Sequence, residues 1–71
     1  MKIEYTYHAE KRLKERNIKK EDVQTIIEFP EYTVKIGEEI EAHKKINGRR
    51  IKVVYIEKVN YIKVITVYPL G

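Results

Sequence analysis

The 71-residue chain contains no cysteine, which excludes a disulfide framework and any thiolate metal site. Its two histidines are a poor inventory for a metal centre, so neither a metal nor a cofactor is expected. No apolar run approaches the roughly 18 residues needed to cross a bilayer, and no signal-peptide-like apolar segment follows Met1. A cytoplasmic location without membrane contact is therefore the expectation. Linkers, repeats and low-complexity segments are also lacking, which points to a single domain over residues 1–71. A chain this short buries only about 60% of the surface that its unfolded form exposes. Any site should then be a shallow groove rather than an enclosed cavity.

What the chain does have is positive charge: 15 Lys and Arg against 11 Asp and Glu, a net charge of +4. The excess is concentrated. Between His43 and Lys63 lie Lys44, Lys45, Arg49, Arg50, Lys52, Lys58 and Lys63, against only Glu57. A basic block of this kind is the electrostatic footprint of a polyanion binder, or of a toxin-like protein with an acidic partner. The alternative is a thermophile-like surface rich in Lys and Glu, with a single Gln and a single Met.

Residues 2–5, "KIEY", alternate polar and apolar and predict a short strand or extended lead-in. Thr6 is a candidate N-cap for a helix reaching about Arg16. Asn17 suits a left-handed helix end, with Ile18 packing back. Glu21 and Asp22 favour the start of a second helix, whose stripe is Val23, Ile26 and Ile27 and whose end is set by Pro30. The remainder reads as strands: "YTVKI" broken by Gly37, "EIEAHKKI" and "RRIKVVYI" joined by Asn47-Gly48, and "YIKVITVY" closed by Pro69. Asn-Gly is a strong signal for a two-residue hairpin turn. The predicted architecture is α+β, a helical hairpin packed on a four-stranded antiparallel sheet, with a short strand before it.

The turns also predict faces. Asn47-Gly48 places Ile46 opposite Arg49 and His43 opposite Lys52, and a turn centred on Lys58-Val59 places Val53 opposite Val64. One face then carries Ile40, Ala42, Lys44, Ile46, Ile51, Val53, Tyr55, Ile62, Val64, Thr66 and Tyr68, and is the one the helices should cover. The other mixes His43, Lys45, Arg50 and Lys52 with an apolar set, Val54, Ile56, Tyr61, Ile65 and Val67. Such a cluster on an open face predicts a partner interface.

"YTYHAEKRLKERNIKKEDVQTIIEFPE", followed by strands, a tight turn, "RRIKVVY" and "VITVYP", resembles the small family known as domain of unknown function 4258. The markers are His8-Ala9, Arg12, Arg16, Ile18, Val23, Pro30 and Thr66-Val67-Tyr68, and they run through nearly the whole chain. That family is similar in turn to the RelE/ParE fold of toxin–antitoxin systems. The resemblance implies a RelE/ParE-like domain, a toxin-like role, RNA as partner and metal-independent RNA cleavage as an activity. It also implies an acidic antitoxin as a second partner.

Metal-free cleavage needs a base near the 2′-hydroxyl, an acid for the leaving oxygen and cations for the phosphate. His8 can serve as base or acid because its ordinary pKa lies near working pH. His8, Arg12 and Arg16 recur every four residues and share one helix edge. His8, Arg12 and Tyr68 are thus the candidate catalytic set, with Arg16, Lys44, Arg49, Arg50 and Thr66 as candidate RNA contacts. The competing reading makes His8 a packed helix-start residue, with Arg12 and Arg16 paired to Glu15 or Glu28. It leaves a non-catalytic module that forms a homodimer or binds another protein through its apolar sheet face.

Overall fold

Asn47 and Gly48 take φ values of 52° and 78°, the pair of left-handed conformations that a two-residue hairpin turn demands. Ile46 consequently faces Arg49 and His43 faces Lys52, as the sequence predicts. The structure is a computed structural model and describes residues 2–70. Its elements, in chain order, are β1 (Lys2–Tyr5), α1 (Tyr7–Arg16), α2 (Lys20–Glu28), β2 (Tyr32–Ile36), β3 (Glu39–Ile46), β4 (Arg49–Glu57) and β5 (Tyr61–Leu70). They form one sheet in the order β1-β5-β4-β3-β2.

The expected four-stranded antiparallel sheet is therefore a five-stranded mixed one. β2 to β5 are antiparallel, while β1 adds to β5 in parallel. β1 and β5 are separated in sequence by both helices and three strands, so no tight turn forces them to be antiparallel.

Both helices form where the local chemistry directs. Thr6 caps α1 by accepting from the Ala9 N–H at 3.0 Å. Asn17 ends it at φ 56°. The Ile18 N–H reaches back to the Leu13 carbonyl at 2.9 Å and the Asn17 N–H to Lys14 at 3.4 Å, the paired closure of a left-handed helix end. Lys20 pairs with Glu10 at 3.1 Å and lies over the Tyr5 ring at 4.7 Å, tying the start of α2 to α1 and β1. The core joins Ala9, Leu13, Ile18, Val23 and Ile26 to Ala42, Ile51, Val53, Tyr55, Ile62, Val64 and Val67 of the sheet. Burial of a Val or Ile side chain is worth about 1.5–3 kcal/mol, so this contact holds both helices on one sheet face.

The β4–β5 connection departs from the expected register. The Lys58 N–H bonds the Tyr61 carbonyl at 2.8 Å, which puts Val59-Asn60 at the turn in place of Lys58-Val59. Asn60 belongs there because its side chain tolerates turn backbone. Tyr55, not Val53, then lies opposite Val64, and Glu57 lies opposite Ile62. The shift is two residues, so Ile62 and Val64 keep the core face.

A second departure has larger consequences. Val54 pairs with Thr66 while Tyr55 pairs with Val64, leaving Ile65 as an extra residue in β5. Such a bulge shifts the alternation by one. Beyond it, Val67 turns into the core with no exposed surface. Thr66 and Tyr68 turn to the opposite face, paired with Val54 and Lys52. The expected placement of Thr66 and Tyr68 under the helices, and of Val67 away from them, is reversed.

The bulge lies where β1 ends, since Tyr5 is opposite Val64. Thr6 bridges it. Its N–H bonds the Val64 carbonyl at 3.1 Å and its hydroxyl donates to the Ile65 carbonyl at 2.9 Å. Replacing Thr6 by Ala should lower the unfolding free energy by about 1–2 kcal/mol, the usual cost of a lost threonine cap, whereas Thr6→Ser should recover most of it. Urea denaturation of the three proteins tests this. An unchanged midpoint in Thr6→Ala would show that neither hydroxyl bond contributes.

Candidate functional site

The sheet face away from the helices carries a row of directly paired residues across four strands: Tyr32 of β2, His43 of β3, Lys52 of β4 and Tyr68 of β5. Residues paired across adjacent strands lie close enough for their side chains to interact. The Tyr32 and His43 rings stack at 4.4 Å with an interplanar angle of 10°. At the other end, Lys52 Nζ lies 5.2 Å from the centroid of the Tyr68 ring. Arg12 of α1 reaches the same ring, also at 5.2 Å.

Arg12 reaches Tyr68 because of the bulge and the shortness of β1. β5 has no strand on its outer side after Val64, and α1 packs against β5. From that position the Arg12 guanidinium contacts a residue on the far face. None of the ion pairs among the described residues involves Arg12.

Glu41, one row over, sits between the remaining groups. Its Oε1 is 3.6 Å from His43 Nε2 and its Oε2 is 4.0 Å from Lys52 Nζ. His43 is buried despite lying on the uncovered face, and so is Thr66. The protein offers no hydrogen-bond partner to either His43 Nδ1 or Thr66 Oγ1. A buried polar atom left unpaired costs on the order of 1–3 kcal/mol. The combined chemistry is a Tyr–His stack with a carboxylate beside it at one end and two cations around a phenol at the other.

Of the residues singled out from the sequence, Arg12 and Tyr68 are brought into contact, and Thr66 lies on the same face two positions from Tyr68. His8 is exposed on α1, one turn ahead of Arg12, and Arg16 is exposed at the end of the same helix. Lys44 and Arg49 are elsewhere. Lys44 Nζ donates to the Phe29 carbonyl at 2.8 Å, and Arg49 donates to the Arg16 carbonyl at 2.7 Å, so both fasten the sheet to helix ends, where a cation is favoured. Arg50 shares the open face but pairs with Glu31 at 2.9 Å.

Of the predicted partner patch, Val67 leaves the open face and the other four residues stay on it. Val67 belongs to the core and Val54 is buried, while Ile56, Tyr61 and Ile65 are half-buried. The bulge is again the cause for Val67. The exposed apolar side chains on this face are Tyr32, Val34 and Ile36 of the edge strand β2 and Leu70 at the end of β5. Tyr32, His43, Glu41 and Lys52 were missed as site residues. The signal was available in part: the Asn47-Gly48 register already placed His43 beside Lys52.

Residues 5–69 match the family described as domain of unknown function (DUF4258), and the chain belongs to that family. No curated protein and no solved structure gives a significant match. No helix among the described residues is long and apolar enough to cross a membrane.

Glu31 provides a pH-dependent check on how β2 is held beside the site. Its carboxylate accepts from the Lys45 N–H at 3.1 Å and from Arg50, and these bonds, the backbone one first, hold its pKa below the usual glutamate range. A carboxyl depressed in the folded state adds stability above its unfolded pKa, roughly 4.3, and loses it as pH falls through the folded value. Glu31→Gln should be less stable than wild type near neutral pH, with the gap closing on acidification. A gap that persists unchanged at acid pH would remove the carboxylate from the account.

Proposed function

We propose that this DUF4258 protein acts on RNA as a toxin-like relative of the RelE/ParE group, and that a phosphate binds where Arg12 and Lys52 meet Tyr68. The observation that carries the reading is the pair of cations at 5.2 Å from one ring. Two cations beside one ring concentrate positive potential on the open face, which the ring's π system offsets in part and a bound phosphate would offset further. The net positive charge of the chain and the open, shallow face suit a long polyanion better than a small enclosed substrate.

Metal-independent cleavage is attack of a ribose 2′-oxygen on the adjacent phosphorus. The P–O2′ bond forms as the P–O5′ bond breaks, a base takes the 2′ proton and an acid returns one to the 5′-oxygen. His8, one turn ahead of Arg12, is the candidate for one of these transfers. Arg12 and Lys52 carry the charge developing on the non-bridging oxygens, and the Tyr68 hydroxyl is the candidate donor. Arg16 extends the cationic edge along the RNA. Lys44 and Arg49 drop out of this role because they are engaged by backbone carbonyls.

A second reading, a non-catalytic module that dimerises or binds an acidic antitoxin-like protein, is favoured by the free edge of β2. Tyr32, Val34 and Ile36 there are 50%, 40% and 61% exposed, and an uncovered edge strand is a template for another strand.

RNA affinity of the purified protein should fall steeply with salt. Arg12→Ala and Lys52→Ala should each weaken it and flatten the log–log slope by about 0.7–0.9. In EDTA, with structured and ribosome-bound RNA as substrates, His8→Ala should abolish cutting and leave binding largely intact. Absence of RNA binding at low salt would overturn the proposal in favour of the second reading.

A further inference from the structure

We infer that the stacked Tyr32–His43 pair is a nucleobase platform for one unpaired base, and that the nucleic acid crosses the sheet along the row from Tyr32 to Tyr68. The inference rests on the RNA reading and adds a second contact point with a direction. Three features support it. First, Tyr32 is stacked against His43 yet remains half exposed, so the stack presents an accessible aromatic surface. Second, His43 lies in the middle of the row and is almost wholly buried. Burial and the Tyr32 ring stacked on it hold it in place, and a platform that is already ordered loses little freedom on binding. Third, register places Lys52 between this stack and Tyr68, so a cation lies on the path from platform to phosphate centre.

Spacing sets the ligand. Tyr32 and Tyr68 are three strand separations apart, about 14 Å at ~4.8 Å per strand. A few nucleotides of extended strand span that distance. Aromatic platforms take bases of any sequence, because every base has a π face. They take them only when the base is free of its duplex neighbours. Tyr32 should therefore confer preference for single-stranded RNA, whereas Arg12 and Lys52 contact phosphate in either form. The carboxylates nearby are each beside a cation, Glu41 near Lys52 and Glu31 paired with Arg50, which moderates their repulsion of a phosphate chain.

The test is fluorescence anisotropy with a short labelled single-stranded oligoribonucleotide and with its duplex, using the full chain and the variants Tyr32→Ala, Tyr32→Phe and Arg12→Ala. The expected result is tighter binding of the single strand, about a tenfold loss for it in Tyr32→Ala, no comparable loss for the duplex, and near wild-type binding in Tyr32→Phe. Arg12→Ala should weaken both ligands. If Tyr32→Ala binds the single strand like wild type while Arg12→Ala does not, the RNA reading stands and the platform is wrong. If wild type binds neither ligand, both fail. Tyr32→Leu, which keeps the bulk without the ring, replaces Tyr32→Ala if the latter unfolds, and it carries the same expectation.

Discussion

The single extra residue at Ile65 governs this molecule. β5 must satisfy two neighbours: up to Val64 it lies between β1 and β4, and after that it has α1 on its outer side. The bulge occurs at this change of neighbour, and Thr6 clamps it with a backbone and a side-chain hydrogen bond. Shifting the alternation there lets Val67 complete the core while Tyr68 goes to the open face. A regular strand would have set Tyr68 under the helices and left Val67 in solvent. The geometry around Tyr68, and with it the candidate site, follows from that one backbone irregularity.

The basic surplus divides by use. Lys44 and Arg49 bind the carbonyls of helix ends and hold the sheet against the helices. Lys20 spans Glu10 and Tyr5, and Arg50 is joined to Glu31 beside the edge strand. Exposed pairs of this sort contribute little each; their effect is to orient strands and caps. Arg12 and Lys52 differ, because both turn toward an aromatic ring on an uncovered face. The density of cations in the chain therefore says less about ligand binding than their placement: Arg12 is in none of the ion pairs among the described residues, and Lys52 lies near both Glu41 and the Tyr68 ring.

The open face also shows how a small domain makes a surface with distinct chemistry. A sheet covered on one side turns every second residue of each strand toward its open face, and the cross-strand pairing brings four such residues into a line. In this line an aromatic stack and a cation-flanked phenol stand at opposite ends. Neither requires a cavity, in keeping with the limited interior of a chain of this length.

The sequence by itself determined the elements whose signals are local. Thr6, Asn17 and Pro30 bound the helices through capping and steric rules that act within a few residues. Asn47-Gly48 set the β3–β4 register through φ alone. That register already placed His43 opposite Lys52, and the spacing of His8, Arg12 and Arg16 put them on one edge of a helix. The bulge was only faintly legible, as a change of phase in "VITV", where Val64 and Val67 are apolar but fall on opposite sides of a strict alternation. Tertiary structure decided the rest. Whether "KIEY" joins the sheet, which face Tyr68 takes and whether Arg12 meets it all depend on residues about 60 positions apart. Thr6 and Ile65 illustrate why: each can be read locally as a cap or a strand residue, and only their hydrogen bond across the fold selects the arrangement that forms the site.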